Sequence, residues 1–180
     1  HQQDAVGLLC FDKEIRRAIP TASSSAHLRP IVTELASSVP KNKTDIAAVF
    51  HATAERLKQK GMVIVISDLF DNPQRVLTGL QHLRHRKHDV ILFHVMDEQE
   101  LSFPFKRMTL FEGLEEYPEI LCDPNSVRDA YQEEVRKFIA EIRKGCLHQQ
   151  IDYELISTNQ PLDVALSKYL ATRMGTRVKR

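Results

Sequence analysis

Hydrophobic residues occur along this chain in short continuous runs and in stripes at helical spacing. Residues 62–66 form the clearest run, which ends abruptly at Ser67 and Asp68. A run of this kind is typical of a strand buried on both faces of a parallel sheet. Residues 89–96 form a second such run, followed by Asp97, and residues 151–156 predict the last strand. Because open α/β sheets bind ligands at the carboxyl ends of their strands, the polar residues after these runs are candidate functional positions.

Apolar stripes at helical spacing alternate with these runs and predict five helices. The helices are predicted over residues 28–39, 46–57, 73–83, 124–146 and 161–170. Residues 5–11 and 15–19 predict an opening hairpin, and the irregular residues 101–122 predict an inserted β-hairpin. Strands that alternate with helices predict an α/β fold, a three-layer α/β/α Rossmann-like sandwich with a mostly parallel sheet.

Composition narrows the class of protein. A chain of 180 residues with 42% hydrophobic content suits a single domain over residues 1–180. A formal net charge of +1 provides no strong field for nucleic acid or for an anionic membrane. The three cysteines are widely spaced, which favours a reducing, cytoplasmic location over a disulfide framework or a zinc site. No apolar run approaches the roughly 20 residues of a spanning helix, so we expect no membrane insertion by this segment.

Thr44 and Asp68 are the main candidate pair. Thr44 precedes a predicted helix that runs back to the strand ending at Asp68. Right-handed packing therefore brings a hydroxyl and a carboxylate to the same edge of the sheet. Oxygen ligands of this kind suit Mg²⁺. The alternative interpretation, that Thr44 only caps its helix and Asp68 only caps a turn, stays open from the residues alone.

Two further groups of residues have alternative interpretations. Histidines 82, 85 and 88 have the spacing of three that a metal or phosphate site requires, but their cationic neighbours favour a solvated, basic helix end. Phe103, Phe105 and Tyr117 surround the predicted insertion. They form either a partner surface or ordinary hairpin packing.

Several motifs together resemble a known family. Thr44-Asp45 at the start of a helix, followed by the segment from Gly61 to Leu69, resembles the second and third elements of the metal-ion-dependent adhesion site in von Willebrand factor A (vWA) domains. The order and spacing of further motifs are similar to the DUF58 family, a bacterial branch of these domains, over nearly the whole chain. These motifs are Asp4 to Leu8 with Phe11, His88 to Asp97 with Glu100, Tyr131, Tyr153 to Thr158, and Tyr169-Leu170.

The resemblance implies a non-enzymatic, protein-binding vWA-like domain. Thr44 would correspond to the threonine ligand and Asp68 to the later aspartate, and Thr44, Asp68 and Asp71 would form the partner-binding edge. The implied partner is a MoxR-type AAA+ ATPase, which would carry out the hydrolysis while the domain acts in assembly or maturation of protein complexes. A metal at this edge would engage an acidic residue of the partner.

One departure from the family pattern affects these expectations. The chain has no Asp-x-Ser-x-Ser, the first element of the adhesion site. The resemblance therefore implies that the first strand and helix of the domain are missing from this chain, and that a Mg²⁺ site of Thr44 and Asp68 is partial and weak or empty. Unpaired strand edges beside the missing strand would favour self-association.

An enzyme is the alternative hypothesis. Asp68 and Asp71 place two carboxylates after a buried strand, as a Mg²⁺-dependent hydrolase of phosphate esters requires. The chain lacks a glycine-rich phosphate cradle and a Gly-x-Ser-x-Gly elbow. Asp68→Ala distinguishes the two hypotheses, because an enzyme would lose turnover and a binding module only affinity.

Overall fold

The computed structural model describes residues 4–39, 45–113 and 118–177. Strands and helices alternate within these ranges, with a short 3-10 turn at Ser25–His27. The strands are β1 (Val6–Phe11), β2 (Ile15–Ala22), β3 (Met62–Ser67), β4 (Asp89–Met96), β5 (Thr109–Phe111), β6 (Ile120–Cys122) and β7 (Asp152–Ser157). The helices are α1 (Leu28–Ser37), α2 (Ile46–Arg56), α3 (Pro73–His85), α4 (Glu98–Ser102), α5 (Pro124–His148) and α6 (Leu162–Arg177).

A three-stranded parallel sheet lies at the centre of the fold. Its strand order is β3-β4-β7, so β4 is the central strand. Ile64 pairs with Ile91, and His94 pairs with Leu155. Two separate antiparallel pairs, β1 with β2 and β5 with β6, lie outside this sheet. The predicted parallel α/β architecture is confirmed.

Helices cover the two faces of the central sheet. On one face α2, α3 and α5 pack over the largest cluster of buried apolar residues. The apolar stripes predicted for α2 and α3 are buried here, as Val49 and Leu80 illustrate. On the other face α6 packs Ala165 and Tyr169 against Ile91 and Phe93. This arrangement is compatible with the three-layer α/β/α sandwich.

One strand of the sheet is only partly covered. Among the described strands β3 pairs only with β4, so its outer backbone edge has no strand partner there. Its side chains alternate, with Val65 6% exposed against the helices and the residues on the opposite face left open. Met62, Ile64 and Ile66 on that face are 56%, 51% and 65% exposed.

Two elements differ from prediction. The apolar stripe of α1 predicts a buried face, but Ile31 is buried while Leu28, Val32 and Leu35 are more than half exposed. The short helix α4 is not among the predicted helices, and only its last two residues fall in the segment 101–122 interpreted as an inserted hairpin. No helix in the described ranges combines the length and the apolar character needed to cross a membrane.

Candidate functional site at the carboxyl edge of the sheet

The three parallel strands end at a common carboxyl edge, where an open cleft of about 470 Å³ lies. Asp68 follows β3, Asp97 follows β4 and Thr158 follows β7. Parallel pairing therefore brings these three positions together although they are distant in sequence. The cleft is lined by Ile66, Ser67, Asp68, Val95, Asp97, Glu100 and Thr158.

Asp68 is the predicted site residue that the structure places at this edge with an exposed side chain. Its Oδ1 lies 3.4 Å from the Ser67 hydroxyl and 3.4 Å from the backbone N–H of Phe70. The Ser67 hydroxyl in turn accepts a hydrogen bond of 3.0 Å from the Leu69 N–H. These local bonds shape residues 67–72, which we call the acidic loop. The Asp68 carboxylate keeps acceptor capacity toward solvent.

Leu69 anchors the acidic loop in the core. Its side chain is fully buried, and its backbone adopts a left-handed conformation with φ of 57°. A non-glycine residue in this region costs about 1–3 kcal/mol, which the surrounding structure must offset. Burial of the leucine side chain contributes about 1.5–3 kcal/mol in the opposite direction. Burial of the Leu69 side chain therefore offsets the cost of its left-handed backbone and anchors the loop between Asp68 and Asp71.

Asp71, the second predicted carboxylate, lies at the base of the acidic loop. Its side chain is 9% exposed. Its Oδ1 accepts hydrogen bonds from the Asn72 N–H at 2.6 Å and from Arg75 Nη1 at 3.4 Å. Its Oδ2 is buried and has no hydrogen-bond partner among the described residues. Asn72 caps α3 by accepting from the N–H groups of Gln74 and Arg75.

Arg75 links the acidic loop to the start of α2. Its Nη2 lies 2.8 Å from Asp45 Oδ1, and its Nη1 contacts Asp71. Asp45 is the N-cap of α2, since its side chain accepts from the Ala48 N–H. Thr44, the predicted metal and partner residue, precedes Asp45 and lies outside the described residues.

Asp97 closes the central part of the cleft. It forms a capping box with Glu100 at the start of α4, and its Oδ2 accepts a hydrogen bond of 2.7 Å from the Thr158 hydroxyl. The hydrogen bond from Thr158 and the backbone N–H of Gln99 lower the pKa of Asp97. Asp97 is therefore ionised at neutral pH, and its oxygens are engaged in local structure.

His94 lies beneath the acidic loop on β4. The side chain is fully buried. Its Nε2 is 3.0 Å from the backbone carbonyl oxygen of Asp68, and its Nδ1 is 2.9 Å from the Tyr153 hydroxyl on β7. Burial lowers the pKa of His94, although the Asp68 carbonyl and carboxylate oppose this shift. The imidazole is therefore neutral and spans all three strands.

The described residues do not provide a complete Mg²⁺ site. Across residues 4–39, 45–113 and 118–177, no three His, Cys, Asp or Glu side chains are grouped so as to bind a metal ion. Asp97 is engaged by Thr158 and by the helix cap, and Asp71 by Asn72 and Arg75. The Asp68 carboxylate is exposed at the edge, and its Oδ1 meets only groups of its own loop, the Ser67 hydroxyl and the Phe70 N–H. Because Thr44 lies outside the described residues, the Mg²⁺ site expected of Thr44 and Asp68 stays a prediction.

The remaining candidates have structural roles. Phe103 is 6% exposed, stacks on Phe111, and contacts Phe105 edge-on and Tyr131 at a tilt, so these rings pack the hairpin region. Tyr117 lies outside the described residues. His88 is buried after the end of α3, and its Nδ1 accepts from the Gly61 N–H at 3.3 Å. The imidazoles therefore do not share one helix face.

The sequence predicted Asp68 as a site residue. It did not predict the residues that contact Asp68 or surround it in the cleft. In the sequence His94 is only one position in a buried run. Its contact with the Asp68 carbonyl, which follows another strand, depends on how the strands pair. The capping box of Asp97 and Glu100 was detectable, because an acidic N-cap with glutamate three residues later is a helix-start signal. The contact of Thr158 with Asp97 depends on strand order, which the pattern leaves open.

Fold and site together define an α/β protein with a parallel three-stranded sheet, helices on both faces and an acidic carboxyl edge. The chain matches the family described as "Protein of unknown function DUF58" over residues 1–141. It belongs to the DUF58 family. Comparison with curated proteins and with solved structures found no match.

Proposed function

We propose that this chain is a non-enzymatic, protein-binding module whose binding surface is the carboxyl edge around Asp68. One observation carries the proposal: the exposed Asp68 carboxylate is flanked, two residues away on each side in the sequence, by two strongly exposed apolar side chains. Ile66 is 65% exposed and Phe70 is 66% exposed. Protein interfaces commonly place aromatic or aliphatic anchors beside polar groups. We assign partner contact to Asp68 and Phe70, and support of the loop to the mostly buried Asp71.

The environment of Asp71 favours a binding module over a hydrolase of phosphate esters. Hydrolysis with two carboxylates needs both to face the substrate and its metal. The Asp71 side chain is 9% exposed and faces Asn72 and Arg75. Of the two carboxylates, Asp68 and Asp71, Asp68 is the one that is exposed to a ligand.

The partner class comes from the resemblance to vWA domains. We propose a MoxR-type AAA+ ATPase as the partner, and assembly or maturation of protein complexes in the cytoplasm as the process. The parallel sheet with helices on both faces supports a vWA-like architecture. Binding of Mg²⁺ through Thr44 and Asp68 stays a prediction, and the proposed interaction does not depend on it.

Calorimetric titration of the purified chain with a purified MoxR-type ATPase from the same organism tests the proposal. We expect Asp68→Ala and Phe70→Ala each to weaken binding at least tenfold, about 1.4 kcal/mol. Glu55→Ala and Leu147→Ala are matched controls, because these side chains are 62% and 74% exposed at the far ends of α2 and α5. The controls should bind like the wild type.

The same titration in Mg²⁺ and in EDTA separates a cation-dependent from a direct interaction. Equal affinity in both buffers supports direct contact by the acidic loop. Loss of binding in EDTA supports a cation at Asp68. Wild-type affinity in both loop variants, or phosphatase turnover that Asp68→Ala abolishes, contradicts the proposal.

A further inference from the structure

His94 is a buried imidazole whose two nitrogens both meet partners from neighbouring strands. Nε2 lies 3.0 Å from the Asp68 carbonyl oxygen, at the end of β3. Nδ1 lies 2.9 Å from the Tyr153 hydroxyl on β7. The ring therefore joins the two outer strands of the sheet through the central one, directly below the acidic loop.

The chemistry of the partners determines where the imidazole proton lies. A carbonyl oxygen only accepts hydrogen bonds, so Nε2 must carry the proton and donate it to Asp68. In the neutral ring Nδ1 then accepts, and the Tyr153 hydroxyl donates to it. Burial raises the pKa of Tyr153, which keeps the phenol protonated and able to donate. The hydrogen bonds thus run in one direction, from Tyr153 through His94 to Asp68.

The groups around this chain of hydrogen bonds are consistent with a neutral imidazole. Phe138 of α5 packs edge-on against the ring at a centroid distance of 5.7 Å. The Arg143 guanidinium of α5 lies 5.5 Å from the centroid of the Tyr153 ring, so this cation faces the tyrosine. Burial raises the pKa of the Cys146 thiol to about 12, so this neighbour of Tyr153 is uncharged. The Asp68 carboxylate is the nearby anion from the β3 side.

We propose that His94 is the positioning residue of the carboxyl-edge site. Its Nε2–H fixes the carbonyl of Asp68, and thereby the direction in which the acidic loop presents the Asp68 and Phe70 side chains. The Asp68 carbonyl selects this tautomer, and the Tyr153 hydroxyl completes it by donating to Nδ1. This inference rests on the proposed function, because it assigns His94 a role in the same binding surface.

Side-chain ¹⁵N NMR of the purified chain tests the proton assignment directly. We expect His94 to show a protonated Nε2 and an unprotonated Nδ1 at neutral pH. In Tyr153→Phe, which removes the hydroxyl and keeps the ring, we expect Nε2 to stay protonated, because the Asp68 carbonyl oxygen can still only accept. A protonated Nδ1 in the wild type would overturn the proposal.

Two substitutions at His94 separate positioning from packing. The amide of His94→Gln can still donate to the Asp68 carbonyl, whereas His94→Leu provides apolar volume without a donor. We expect His94→Leu to change the chemical shifts of the Phe70 and Asp71 amides and to weaken binding of the ATPase at least tenfold. We expect His94→Gln to stay within about threefold of the wild-type affinity.

The NMR and binding measurements distinguish a failure of the proposed function from a failure of the positioning role of His94. If the ATPase does not bind the wild type, the proposed function fails, while the tautomer and the amide shifts still test positioning. If His94→Leu folds with unchanged Phe70 and Asp71 amides, His94 is only a packing residue and the inference is overturned. The Leu147 amide at the C-terminal end of α5 serves as the internal reference for both variants.

Discussion

Burial of an ionisable side chain makes its charge state part of the folding equilibrium. His94 is fully buried, and both ring nitrogens are within hydrogen-bond distance of neutral groups. A second proton on this ring would have no acceptor other than the Tyr153 oxygen, which already donates its own proton. The folded chain therefore favours neutral His94 more than the unfolded chain does.

We expect the free energy of unfolding to decrease as the pH falls below about 6.5, the ordinary pKa of histidine. The folded-state pKa of His94 is lowered, mainly by burial, so the unfolded chain binds more protons below this pH. Added protons then favour unfolding, and stability is complete only above this window. Urea titrations at about pH 7.5 and about pH 5.5 measure the effect.

His94→Gln is the control for this pH dependence. The other histidines are common to both chains, so the difference between wild type and variant isolates His94. The variant should lose less stability on acidification than the wild type. An equal loss in the two proteins would assign the pH dependence to other groups.

At the level of single residues, candidate site residues could be predicted where a polar residue comes directly after a buried strand in the sequence. Asp68 was singled out because a carboxylate directly after a buried run lies at the edge where open α/β sheets bind ligands. His94 was not, because a histidine within a buried run gives no indication of which strand its nitrogens meet. Leu69 was missed for a related reason, since nothing in an apolar residue predicts a left-handed backbone.

Burial of the helices was predicted best where the apolar stripe packs against both the sheet and a neighbouring helix. The stripes of α2 and α3 pack as expected, because each faces the sheet and its neighbouring helix. The stripe of α1 has the same spacing, but the described chain provides no cover for most of it. Spacing therefore predicts that a helix forms, and tertiary contacts decide whether its apolar face is buried.

Strand β3 allows a direct test of burial within one element. Val65 is 6% exposed and its neighbour Ile64 is 51% exposed. We expect Val65→Ala to lower the free energy of unfolding by about 1–3 kcal/mol, because it removes buried apolar volume. We expect Ile64→Ala to cost less than about 1 kcal/mol, mainly through β-propensity.

Denaturant unfolding of both variants beside the wild type measures this difference. The slope with denaturant should stay unchanged, so that the midpoint reports stability. A larger loss for Ile64→Ala than for Val65→Ala would mean that the outer face of β3 is covered in solution.

At the scale of the whole molecule, the described surface is uneven. Helices cover the sheet over β4 and β7, while β3 has an unpaired edge and an open apolar face. Exposed edges and apolar patches of this kind promote association between chains. Architecture was predictable from the alternation of elements, but the degree of cover over each strand depends on three-dimensional packing.

We expect the isolated chain to self-associate as its concentration rises, with β3 in the contact. Ile64→Lys places a charge on the open face and should shift the population toward monomer. Leu147→Lys is the matched control, because Leu147 is 74% exposed at the end of α5, away from this face. Sedimentation velocity over a concentration series measures the mass of each variant.

Either of two results would contradict this prediction. The wild-type chain could remain strictly monomeric at every concentration. Alternatively, Leu147→Lys could dissociate the assembly as well as Ile64→Lys does, which would place the contact elsewhere.

The anchoring of the acidic loop by Leu69 also affects the thermodynamics of association. A partner that meets a mobile loop must order it, at a cost of about 1–2 kcal/mol for each backbone residue that becomes fixed. Leu69 is already fully buried in its left-handed conformation, so residues on either side of it are ordered before any encounter. Binding at this edge should therefore proceed with a small entropic penalty and an association rate that is not slowed by rearrangement of the loop.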